Sequence, residues 1–139
     1  MSSAVFQNLI YALNQVIHNF GAAAVIGFST YGLLRRADNP AAQRSILLAL
    51  AIAWAVQGIT GVTFGITSLY FYGKLPDIHG VAIVAVTTKI VCVILGFIVV
   101  LAGLRKRSEI PSNYQFHIFI SFALGVVALS AAAFLRWFS

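Results

Sequence analysis

The sequence predicts an all-α integral membrane protein, a bundle of four transmembrane helices with both termini on the same side, and three observations carry that prediction. Hydrophobic residues make up 60% of the 139 residues and charged residues only 9%. The mean hydropathy is +0.94, far from the balance of a soluble domain, which needs polar side chains to cover its core. The chain also offers four apolar runs, each reaching the ~20 residues needed to cross a hydrocarbon core.

The first run covers residues 9–34. It lacks a basic leading segment and is interrupted by Asn14, Gln15 and His18, so it reads as a retained helix rather than a cleaved leader. The second covers 46–72, the third 81–104 and the fourth 114–137. Prolines punctuate the connections: Pro40 before the second span, Pro76 before the third and Pro111 before the fourth, each where a missing N–H costs a helix least. The whole chain is one transmembrane domain, with no length left for a second, extramembrane one.

Charge placement orients the bundle. Arg35, Arg36 and Arg44 fall in the first connection and Arg105, Lys106 and Arg107 in the third, six of nine basic residues in all. Both connections follow odd-numbered spans. The positive-inside rule therefore puts them on the inner face and both termini on the outer, periplasmic side of a bacterial inner membrane. Lys74 and Asp77 nearly cancel in the outer loop, and Tyr70, Tyr72, Trp137 and Phe138 belong to the outer aromatic belt. The net charge of +6 does not indicate nucleic acid, because it flanks apolar spans and forms no basic face on a polar surface.

Small residues recur at helical spacing in three spans. Gly58, Gly61, Gly65 and Ser68 mark the second; Ala82, Ala85, Cys92, Gly96 and Gly103 the third; His117, Ser121, Gly125, Ala128 and Ala132 the fourth. Close helix packing explains most of these. The alternative for Gly61 and Gly65 is that a flat cofactor lies against them. Cys92, the only cysteine, reads as a small packing residue.

Two polar residues invite a functional reading. Lys89 stands about 12 Å below the outer end of its span at ~1.5 Å per residue, too deep for easy escape to the interface. A cation at such depth normally pairs with something or lines a cavity. His18 lies about 13 Å below the outer end of the first span, so the two share a depth. Neutral imidazole is a good haem-iron ligand and a natural proton relay; a histidine hydrogen-bonded to a neighbouring helix, by Asn14, Gln15, Asn19 or Gln57, is the structural alternative. His79 belongs at the outer boundary and His117 near the inner face, both in interfacial or structural roles, and the unequal depths do not support a bis-histidine haem. Asp38, Asp77 and Glu109 all fall in connections, which excludes an intramembrane carboxylate pair. No phosphate-cradling loop, CxxC or HExxH occurs, and soft ligands for copper are limited to Met1 and Cys92.

Taken together, the stretch from His18 to Gly27 (HNFGAAAVIG), Gln57 to Gly61 (QGITG), the turn at Tyr72 and Gly73, Thr88-Lys89-Ile90 and the basic helix end at Arg105 to Arg107 resemble the group of copper-resistance-D and HemJ-type protoporphyrinogen oxidase proteins. The resemblance implies a helical membrane bundle with a first-span histidine and a third-span lysine, and a bound haem b in the HemJ-type members. His18 would then be a haem ligand and Lys89 a functional cation. The early aromatic and arginine pattern of the HemJ-type oxidases is not matched, so the resemblance bears on scaffold and cofactor rather than on that activity. The expectation is a small membrane redox protein, binding haem b or taking part in quinone-linked electron transfer, with His18, Lys89, Gly61 and Gly65 around the cofactor. The alternative is a non-catalytic accessory or anchor subunit among the other membrane subunits of a respiratory or photosynthetic complex.

Overall fold

The computed structural model describes residues 3–35, 39–105 and 113–138. Four helices account for nearly all of them: α1 (Ser3–Leu34), α2 (Pro40–Tyr72), α3 (Val81–Arg105) and α4 (Tyr114–Phe138). All four are long and apolar enough to cross a membrane. The expected boundaries hold to within a residue at most ends. Two helix starts differ: α1 begins six residues before the expected Leu9, beyond the polar pair Gln7 and Asn8 that interrupts its apolar run, and α2 six before Ile46, where Gln43, Arg44 and Ser45 carry no hydropathy signal. Arg36, Asp38, Lys106, Arg107, Glu109 and Pro111 lie outside the described residues.

Local chemistry sets the ends of α2. Asn39 accepts a hydrogen bond from the Ala41 amide at 2.9 Å and Pro40 occupies the first helical turn, an N-terminal cap that satisfies one otherwise orphaned N–H. At the other end Gly73 takes the left-handed conformation, φ 66°, and returns its N–H to the Leu69 carbonyl at 3.0 Å. Ser68 donates to the Lys74 carbonyl at 3.0 Å and ties the turn back to the helix.

Successive helices run antiparallel around a ring, with α1 against α2, α2 against α3, α3 against α4, and α4 closing on α1. One end of the bundle therefore carries both termini and the α2–α3 loop; the other carries Arg35, Arg44 and Arg105. We call these the terminal end and the arginine end. Tyr70, Tyr72, Trp137 and Phe138 are exposed at the terminal end, as the aromatic belt requires.

Packing is uneven along the bundle. Val25, Ile46, Leu47, Leu50, Ala53, Trp54, Val100, Tyr114 and Ile118 form one buried cluster that fills the middle and the arginine end. Trp54 reaches across the bundle from α2, donates its indole N–H to Ser121 of α4 at 3.0 Å, and lies flat against Gly96 of α3. Ser29 of α1 donates to the same Ser121 oxygen at 3.3 Å, so one small polar node joins three helices. The contacts between α1 and α4 also belong here: Val25 and Ile26 approach Gly125, and Gln115 donates to the Gly32 carbonyl at 3.3 Å. Along the spans Thr63, Thr67 and Ser130 return their hydroxyl protons to carbonyls one turn back, the usual solution where no water is at hand.

Candidate functional site

Beyond Trp54 toward the terminal end, the interior changes character. On α2 one face buries Trp54, Gln57 and Ser68. Gly61 follows Trp54 by seven residues and Gln57 by four, so it points along that same inward face. Yet Gly61 is exposed, and nothing lies within 4 Å of where its Cβ would stand. On α3 the inward face buries Ala82, Ala85, Cys92 and Gly96. Lys89 sits in the middle of this stripe, seven residues after Ala82 and three before Cys92, and is only half-buried. The two inward-facing positions that fail to be buried thus lie at one level. Val93 meets the Gly58 position at 3.4 Å where α2 and α3 touch, and Lys89 is one turn further toward the terminal end, opposite Gly61.

His18 enters from α1. Its Nδ1 lies 2.7 Å from the Thr60 hydroxyl oxygen. That hydroxyl has one proton, and it is committed to the Val56 carbonyl at 2.6 Å. With that proton on the Val56 carbonyl the imidazole donates from Nδ1, the tautomer in which Nε2 is the acceptor. Gln57 donates to the His18 backbone carbonyl at 2.6 Å, Asn14 donates to the Thr60 carbonyl at 3.1 Å, and Phe64 stands edge-on to the ring at 5.6 Å between centroids. His18 meets α2 at Thr60 and Lys89 stands opposite the adjacent Gly61, so the two lie at one level of the bundle. Among the described residues no carboxylate pairs with Lys89: Asp77 is in the α2–α3 loop, 3.4 Å from His79. Asp38 and Glu109 belong in sequence to the connections at the opposite end.

His18, Lys89 and Gly61 are therefore brought together. Gly65 borders the same opening nearer the loop, half-buried, with Leu75 at 3.9 Å from its Cβ position. Gly61 and Gly65 do not serve as the close-packed contact that their spacing suggested; on α2 that role falls to Gly58, against Val93. The other histidines stand apart. His79 is exposed in the loop, and His117 is buried toward the arginine end with its ring 3.4 Å from the Gly103 position. Among the described residues no group of three or more His, Cys, Asp or Glu could hold a metal ion.

Sequence reasoning missed Thr60 and Phe64. It offered Asn14, Gln15, Asn19 and Gln57 as partners for the imidazole, but Gln15 donates to Asn19 at 2.7 Å on an exposed face, and Asn14 and Gln57 bond backbone carbonyls. The available signal was the Gln57-x-x-Thr60 spacing, which puts two polar side chains on one face of an otherwise apolar helix. Compared with known proteins, the chain matches no family model, no curated protein and no solved structure.

Proposed function

We propose that this chain is a small integral membrane redox protein of a bacterial inner membrane, binding an isoprenoid quinone between His18 and Lys89 for quinone-linked electron transfer. The observation that carries this reading is the facing pair at one level: an imidazole with an accepting Nε2 and a cation without a carboxylate partner, on either side of a glycine-lined opening. A quinone supplies two-electron, two-proton chemistry on two oxygens. In the quinol, one hydroxyl donates to Nε2, which takes that proton when the quinol is oxidised, and the other oxygen accepts from the Lys89 ammonium. Thr60 keeps the imidazole in the accepting tautomer, as outer partners of functional histidines do. Both groups act in a low-dielectric span, where such hydrogen bonds are stronger than in water. Electron exchange belongs to neighbouring membrane subunits of a redox complex, a reading that also accommodates an accessory role.

A second reading is haem b. Nε2 is free to bind iron, with Thr60 as the outer partner of the ligand, and Lys89 suits a propionate. The glycine face, where a Cβ at Gly61 would otherwise project, fits a flat ring system. His79 and His117 offer no second axial ligand at this level, so the residues fit one histidine ligand and not two. The resemblance to the copper-resistance-D and HemJ-type group supports this version.

One preparation separates the two. Protein purified in mild detergent from its native membrane will yield quinone on solvent extraction, and His18→Ala will lower the yield several-fold while leaving helicity unchanged. A Soret band that shifts with dithionite and disappears in the variant would replace the quinone with haem b. Neither quinone nor Soret band in a cofactor-replete preparation overturns the proposal.

Orientation is tested independently. In a Cys92→Ser background, single cysteines at Ser3 and Ser139 will react with an impermeant thiol reagent in intact spheroplasts, whereas one at Ala42 will not. The reverse pattern overturns the outward placement of the termini.

A further inference from the structure

A groove of about 600 Å³ opens on the outer surface between α1 and α2, on the arginine-end half of the bundle. Phe20, Ala23, Gly27 and Tyr31 form one wall and Ser45 and Ala49 the other. It is unconnected with the His18 opening: Phe20 points away from His18, two residues earlier on the same helix. Ala23, Ala24, Gly27 and Ala49 leave an open, shallow groove between larger neighbours, and at Gly27 nothing lies within 4 Å of the Cβ position.

Length and charge identify the occupant. From Phe20 to Tyr31 the α1 wall runs about 16 Å at ~1.5 Å per residue, close to half of a hydrocarbon core of ~30 Å. A helix of a second copy or of another subunit would seek contact along a whole span; an acyl chain occupies one leaflet. Past Tyr31 the same helical stripe ends in Arg35, whose N–H bonds the Tyr31 carbonyl at 2.8 Å and whose side chain is exposed. The N-terminus of α2 begins beside it at Pro40, with its partial positive charge. The apolar channel is one leaflet deep and ends where positive charge collects.

We infer that this groove is a binding site for an anionic glycerophospholipid of the arginine-end leaflet, with an acyl chain between α1 and α2 and the phosphate at Arg35. Basic positions at the membrane surface attract such headgroups by roughly fivefold per charge.

The test is native mass spectrometry of the full chain in detergent with phosphatidylglycerol or phosphatidylcholine of identical chains. The wild type will retain phosphatidylglycerol about fivefold better. Arg35→Gln will bring the ratio near unity, Arg35→Lys will keep it, and Gly27→Leu, whose side chain enters open space, will release both lipids while circular dichroism stays helical. Arg105→Gln, on the other connection, will leave the ratio unchanged. Equal loss with Arg105→Gln would show diffuse surface charge instead of a site. Unchanged retention in Gly27→Leu, or a dimer that this variant dissociates, would likewise overturn the inference.

Discussion

Lys89→Met will make the bundle more stable and, on the proposed quinone function, unable to hold the quinone. The cation stands on the inward stripe of α3 without a carboxylate partner among the described residues, and insertion scales put a lysine at that depth at about 2.5 to 3.5 kcal/mol. Methionine has similar length, fills the same space and carries no charge. Unfolding by sodium dodecyl sulfate, followed by circular dichroism, should therefore show a gain of about 2 kcal/mol or more in the ligand-free protein. Quinone recovered on solvent extraction should fall to background. A structural lysine would behave oppositely: its removal would destabilise the bundle and leave any ligand in place. Lys89→Arg keeps the charge and distinguishes loss of a cation from loss of a shape.

Gly96→Ala will be the most damaging single methyl in the chain. A Cβ at Gly96 falls on the Trp54 indole, and the indole cannot retreat, because its N–H is held by Ser121 and its face is enclosed by the core around Leu50. Overpacking of this kind costs about 3 kcal/mol or more, with the Trp54–Ser121 bond lost as well if the ring swings away. Gly27→Ala is the matched control. It projects into open space on the same kind of helix and should be neutral or slightly stabilising, by under ~1 kcal/mol. Thermal loss of the folded, monodisperse species reads both. A destabilisation at Gly96 no larger than at Gly27 would mean that the tryptophan does not plug the bundle.

How far the sequence could be read depended on the kind of signal. The spans were legible because hydropathy over ~20 residues is a strong, additive signal, and the inward stripe of α3, from Ala82 to Gly103, was legible because small residues on an apolar helix mark contact. On α2 the same reasoning found the contact at Gly58 but carried it on to Gly61 and Gly65, where no neighbouring helix closes in. That helix is apolar on nearly every side, so its glycines could not say which neighbour they face; Trp54 and Thr60, which decide the packing and the imidazole tautomer, act across helices. The shared depth of His18 and Lys89 followed from helix rise alone. That Gly61 faces Lys89 without touching it did not, since it depends on how α2 and α3 meet at Gly58 and Val93.

The unequal lengths of the helices have a geometric consequence for the bundle. α1 and α2 hold 32 and 33 residues, and α3 and α4 hold 25 each. At ~1.5 Å per residue the first pair is about 48 Å long and the second about 37 Å, against a slab of hydrocarbon near 30 Å. Excess length is relieved by tilt, and two hairpins with different excess relieve it by different amounts. Axes that differ in tilt cross, and crossing pairs interlock over a limited stretch before they diverge. Unequal excess therefore asks for unequal tilt in the two hairpins, so a thicker bilayer should bring their axes closer to parallel.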